Sequence, residues 1–104
     1  MIKISDYLSE GRENARTGKE LCSMLNITAR DLTVAIERER RAGHPICAST
    51  GLKPGYYLAA DRQEMEVYCR SLWKRAGEIF KTRRACIKAM ELLPDLADGY
   101  PDQQ

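Results

Sequence analysis

No stretch of the sequence approaches the roughly 18 consecutive apolar residues that a bilayer-spanning helix requires. No signal-peptide pattern opens the chain. The protein is therefore expected in the cytoplasm, with no membrane partner. Cysteine is scattered rather than paired: Cys22, Cys47, Cys69 and Cys86 form no C-x-x-C. The only histidine, His44, has no second imidazole within ligand spacing. A zinc site needs clustered thiolates or imidazoles, so no metal is expected. Each cysteine falls within an apolar pattern and reads as a buried free thiol. A disulfide framework does not fit a chain without an export signal. There is no Gly-rich phosphate loop and no nucleophile motif. Enzymatic activity, a cofactor and a small-molecule ligand are accordingly not expected, and His44 beside Pro45 reads as a turn residue.

What remains is a soluble-type composition, 43% hydrophobic and 31% charged over 104 residues. That length allows one small domain with an appended element. The net charge of +2 is small, but it is unevenly spread. Residues 1–27 balance four bases against four acids, and residues 28–60 carry a surplus of two positive charges. Residues 70–90 hold seven bases against Glu78 alone, whereas the tail from Glu91 is uniformly acidic. Positive charge is thus concentrated in two stretches that both read as helical.

Ile2, Ile4, Tyr7 and Leu8 have a short helical spacing that Gly11 ends. The polar stretch 12–16 reads as a connector or a very short strand. Thr17 and Glu20 form a Thr-x-x-Glu capping box. The helix behind it turns Leu21, Cys22, Met24 and Leu25 inward and stops at Asn26. Thr28 caps the next helix, with Asp31 three residues on favouring its N-terminus. That helix is predicted over 28–42. Gly43 suits the position after its end, and Pro45 prevents continuation. The period then changes: 46–49 and 56–59 read as strands around a Gly/Pro turn over 50–55. Asp61 caps a long helical stretch free of proline until Pro94.

Two helices joined by a very short turn and followed by a hairpin are the organisation of a winged helix-turn-helix. The run G-K-E-L-C-S-M-L-N-I-T-A-R-D-L-T-V-A-I over 18–36, followed by R-R-A-G-H-P-I-C-A-S and G-Y-Y-L, resembles that family. It is similar in particular to the N-terminal DNA-binding domain of biotin-operon repressors. The resemblance covers about residues 2–60. It implies a mainly α fold with a small β-hairpin wing, followed here by a long C-terminal helix or helical pair. Compact single-domain relatives of this kind suggest a phage- or prophage-type regulator. The domain boundaries expected are 1–60 for the winged helix, 61–93 for the helical extension, and 94–104 for an acidic flexible tail.

The function implied is sequence-specific binding of double-stranded DNA by a transcriptional regulator, with helix 28–42 in the major groove and the wing on the backbone. On a helical wheel Leu32, Ala35, Ile36 and Glu39 share the inner face. Glu39 stands where the family usually has an apolar residue, so it should lie at the rim or pair with an arginine such as Arg40. The outward face offers Arg30, Thr33, Val34 and Glu37 for base edges. Lys19, Arg38, Arg41 and Lys53 are placed for phosphates. Arg38, Arg40 and Arg41 also suit the solvated end of a helix, where cations complement the dipole, and Glu37 has the alternative of pairing with Arg41. Alternation puts one of Tyr56 and Tyr57 in the core and the other at the surface.

Met65, Leu72, Ile79, Cys86 and Leu93 recur every seven residues, with Tyr68 as a companion. This stripe either covers the domain it follows or joins two copies in a homodimer. Gly77 weakens its centre, and Thr82 is placed to cap a second helix. The basic run 70–88 reads as a solvated face or as a track for the DNA backbone. The rival to DNA binding is a winged-helix protein-interaction adaptor in a phage-type replication or regulatory assembly, which the modest charge and acidic tail favour.

Overall fold

The computed structural model describes residues 2–95. It is mainly helical, with one two-stranded antiparallel hairpin and a long C-terminal helix. The elements are α1 (Gly18–Leu25), α2 (Ala29–Arg41), β1 (Ile46–Ser49), β2 (Gly55–Leu58) and α3 (Arg62–Met90), preceded by 3-10 turns at Ile4–Tyr7 and Arg12–Asn14. Two units are distinguished, Met1–Ser71 and Leu72–Gln104. Beyond Asp95, the expected acidic tail lies outside the described residues.

In the first unit, capping sets both short helices. The Glu20 amide donates to Thr17 Oγ1 at 3.0 Å and the Thr17 amide to Glu20 Oε1 at 2.8 Å. This satisfies two N-terminal donors that an uncapped helix leaves open. The same amide holds the Glu20 carboxyl below its ordinary range. Thr28 and Asp31 repeat the exchange at 3.0 and 3.5 Å. Between the helices Asn26 adopts a left-handed conformation with φ 54°, so the chain reverses within three residues. At the other end of α2, Gly43 has φ 103°. His44 there donates to the Glu39 carbonyl and Gly43 to that of Arg40, both at 3.0 Å. That pair of bonds is a Schellman stop.

The hairpin is a wall between two cores. Its register pairs Ile46 with Leu58 and Cys47 with Tyr57, and neighbouring residues on a strand face opposite ways. On one side Ile46 packs with Ile4, Leu8, Leu21, Leu32 and Ile36, and Tyr56 and Leu58 lean on that cluster. On the other side Cys47 and Tyr57 pack with Ala15 and Tyr68, with Met65 against them. Tyr57 is thus buried in one cluster and Tyr56 half-buried against the other. Burying each of the large aliphatic side chains contributes roughly 1.5–3 kcal/mol.

Several details depart from the sequence expectations. The N-terminal helix is a single 3-10 turn that buries Ile4, while Ile2 and Tyr7 stay exposed. Met24 is exposed, because α1 faces the core between Leu21, Cys22 and Leu25, and Met24 falls off that arc. Stretch 12–16 is a 3-10 turn, and only Arg16 behaves as strand, exchanging two bonds with Tyr56 at 2.9 and 2.8 Å. Strand β2 begins one residue early, at Gly55. Of the thiols expected in the core, Cys47 is buried and Cys22 half-buried, but Cys69 and Cys86 are exposed on α3.

Helix α3 runs unbroken through Gly77. Thr82 starts no second helix; its hydroxyl donates to the Glu78 carbonyl at 3.2 Å. The cost of one glycine, about 1 kcal/mol, is small against 29 residues of helix. In its first turns Met65 and Tyr68 join the second cluster. In the unit that starts at Leu72, the helix buries none of its large apolar side chains.

Candidate nucleic-acid interface

Helix α2 divides its surface cleanly. Leu32, Ala35, Ile36 and Glu39 are buried, while Arg30, Thr33, Val34, Glu37, Arg38 and Arg41 are all exposed. Arg30, Val34, Glu37 and Arg41 follow the spacing that puts side chains in one row along a helix. The row extends about 16 Å at 1.5 Å per residue. Thr33 and Arg38 flank it on opposite sides. The Thr33 hydroxyl donates to the Ala29 carbonyl at 3.0 Å, so the methyl is the part of this exposed side chain left without a partner. Lys19 is exposed in the first turn of α1, and Lys53 in the loop between β1 and β2. That loop is tied across its base by the Ser49 hydroxyl, which donates to the Lys53 carbonyl at 2.9 Å.

Among the described residues the ion pairs are Arg62–Glu66 at 2.9 Å and Lys81–Glu78 at 3.3 Å, both on α3. The expected alternative pairing of Glu37 with Arg41 is not made. The row on α2 therefore combines uncommitted guanidinium donors with one carboxylate acceptor and an apolar side chain. Such a set can meet a surface that presents oxygen acceptors, amino donors and methyl groups.

Behind the row, two residues hold α2 in place. Glu39 is only 4% exposed, and its partner is no arginine. Oε2 accepts from the Ile4 amide at 2.6 Å and Oε1 from the Ser5 amide at 2.9 Å. The carboxylate thus caps the N-terminal 3-10 turn from across the domain. Arg40, grouped in the sequence with the solvated arginines, turns inward instead. Its Nε donates to the Ile46 carbonyl at 2.9 Å, and its guanidinium carbon lies 4.9 Å from the Tyr68 ring centroid. Its Nη2 is buried without a hydrogen bond; the negative face of the ring offers about 0.5–2 kcal/mol of compensation. Arg40 sits on the edge of the inner face on a helical wheel, which was the available signal for this role.

The seven-residue stripe is divided. Met65 and Tyr68 pack inside the first unit. Leu72, Ile79 and Cys86 are exposed in the second. Within the first unit the stripe thus contributes Met65 and Tyr68 to the second cluster.

Burial pushes up the Cys47 thiol and the Tyr57 phenol. A thiol so placed is a packing group, not a nucleophile. Both groups are neutral when buried and must ionise against desolvation, so they release protons later in the folded chain than in the unfolded one. Their stabilising contribution is complete below the unfolded thiol value of 9.0 and is lost as pH rises above it. Urea midpoints measured from neutral to strongly alkaline pH are expected to fall above that point, and less steeply in Cys47→Ala. Parallel pH profiles would show that the thiol does not contribute.

Among the described residues no group of three or more His, Cys, Asp or Glu side chains is arranged to hold a metal ion. No described helix is long and apolar enough to cross a membrane. Comparison with protein-family models, curated proteins and solved structures finds no match.

Proposed function

We propose that the chain is a sequence-specific double-stranded DNA-binding transcriptional regulator of the winged helix-turn-helix kind. In this reading α2 enters the major groove, and the β1–β2 hairpin is the wing whose Lys53 meets the phosphate backbone. The observation that carries it is the exposed row Arg30, Val34, Glu37 and Arg41 on a helix that follows its predecessor after a three-residue turn. Arg30, Thr33 and Val34 lie in the first turns of α2, the part of such a helix that usually reaches base edges. Arginine suits guanine O6 and N7, glutamate suits cytosine N4, and the Thr33 methyl or Val34 suits the thymine methyl. Lys19, Arg38 and Arg41 then serve as phosphate contacts, which fix position without reading sequence.

Selection of bound DNA from a random pool, followed by gel shift on the selected site, tests this directly. Arg30→Ala is expected to weaken binding to that site by about 1–3 kcal/mol and to relax the preference at one base position. An equal loss on every sequence would reassign Arg30 to the backbone. Absence of any shift at about 50 mM salt would overturn the DNA reading, because phosphate contacts are strongest at low salt. The adaptor reading would then stand.

A further inference from the structure

The second unit carries a surface that DNA binding leaves unused. On a wheel of 100° per residue, Leu72, Trp73, Ile79, Phe80, Ile87 and Met90 occupy one sector of roughly 120°. All six are exposed; Trp73, Ile79 and Phe80 retain 83%, 67% and 63% of their accessible surface. Lys74, Lys81 and Lys88 lie on the far side, and Arg84 and Arg75 border the apolar sector at its two edges. Over 72–90 there are six bases against Glu78 alone. Arg83 stands inside the apolar sector.

That charge pattern discriminates among occupants. A second copy would bring together two segments of like charge and set each Arg83 among apolar side chains, with Glu78 on neither apolar sector. A nucleic acid would meet the basic side and leave the apolar sector in water. A protein groove would need an acid placed for Arg83 and would leave Lys81 and Lys88 unmatched on the far side. A layer of anionic lipid meets the apolar sector and the arginines at its edges together. Its acyl boundary takes the apolar sector, and its phosphates form a continuous negative field for the bases. The Arg83 head can snorkel along its methylenes to a headgroup. Trp73 and Phe80 lie where the apolar sector borders the basic side, the position aromatic rings favour at a lipid–water boundary.

We infer that residues 72–90 of α3 form an interfacial helix for an anionic lipid surface, lying in the headgroup layer. This departs from the sequence expectation of no membrane partner, which rested on the lack of a spanning stretch. A helix that lies on a bilayer needs none. The inference does not depend on what α2 binds.

The test uses the full chain, whose only tryptophan is Trp73. Vesicles of phosphatidylcholine alone are compared with vesicles holding about 30% phosphatidylglycerol, the anionic lipid supplying the attraction. Trp73 emission is expected to shift to the blue, and to be quenched by brominated acyl chains, on the anionic vesicles only. Phe80→Ser is expected to weaken binding about tenfold or more, as loss of one buried aromatic side chain implies. Because Phe80 is exposed, circular dichroism should be unchanged by that substitution. Arg30→Ala should leave vesicle binding intact. No shift on anionic vesicles overturns the inference, as does an equal shift on neutral ones. Co-sedimentation without a Trp73 shift means adsorption by charge alone and overturns it too. So does a dimer mass with a concentration-dependent shift in buffer, which would assign the face to a second copy.

Discussion

Glu39→Ala is expected to destabilise the first unit by about 3–5 kcal/mol, since each hydrogen bond to a charged group contributes roughly 1.5–3 kcal/mol. The carboxylate of Glu39 accepts two main-chain donors, from Ile4 and Ser5. Its removal leaves the buried Ile4 amide without an acceptor and opens a void beside a residue only 1% exposed. Domains of this size have only about 5–15 kcal/mol in total, so the loss is a large fraction of the stability the domain has. Glu39→Gln keeps one acceptor oxygen and should lose much less. Urea denaturation of the parent and both variants checks the order. If Glu39→Ala lies within about 0.5 kcal/mol of the parent, the level of an ordinary surface change, the carboxylate does not hold the turn.

Gly55→Ala should cost about 2–4 kcal/mol, combining backbone strain with overpacking. Gly55 has φ 140°, a conformation that residues with a Cβ rarely adopt. A Cβ there would lie 2.4 Å from the Arg16 carbonyl oxygen and 2.6 Å from its carbon. Main chain cannot move aside as a flexible side chain can. The two Arg16–Tyr56 bonds, at 2.9 and 2.8 Å, would have to open, and with them the seating of Tyr56 against the first cluster. Gly51 is the internal control: its φ is also positive, but nothing lies within 4 Å of an added Cβ. Gly51→Ala should therefore cost about 1 kcal/mol, the strain component alone. Equal melting of the two variants would show that the close approach at Gly55 is not what demands glycine.

The parts of this fold that were legible in the sequence are those settled within a few residues. Thr17 with Glu20, Thr28 with Asp31, and Gly43 before Pro45 mark helix ends through contacts three or four positions apart. The exposed row on α2 follows from the same short period. What escaped is settled across the chain. Glu39 finds its partners 35 and 34 residues away, and at that distance no spacing rule points to two main-chain amides rather than to an arginine. Arg40 was hidden among the look-alike arginines at 38, 40 and 41; the Tyr68 ring and the Ile46 carbonyl distinguish it. The thiols of α3 were misplaced for a related reason. An apolar period shows which face of a helix is sticky, but not whether anything covers it.

The connector over 9–16 has a consequence for solubility. Strand β2 is the outer strand of a two-stranded sheet, and an open strand edge is a template on which another chain can pair. Here the chain occupies that edge itself. Leu58 donates to Ser9 and accepts from Gly11, both at 2.9 Å, and Tyr56 exchanges its bonds with Arg16. Every main-chain group that β2 would offer to a neighbour at Tyr56 and Leu58 is thus already engaged. A polar connector therefore serves as a guard against edge-to-edge aggregation, and Gly55 is the residue that lets it approach closely enough to do so.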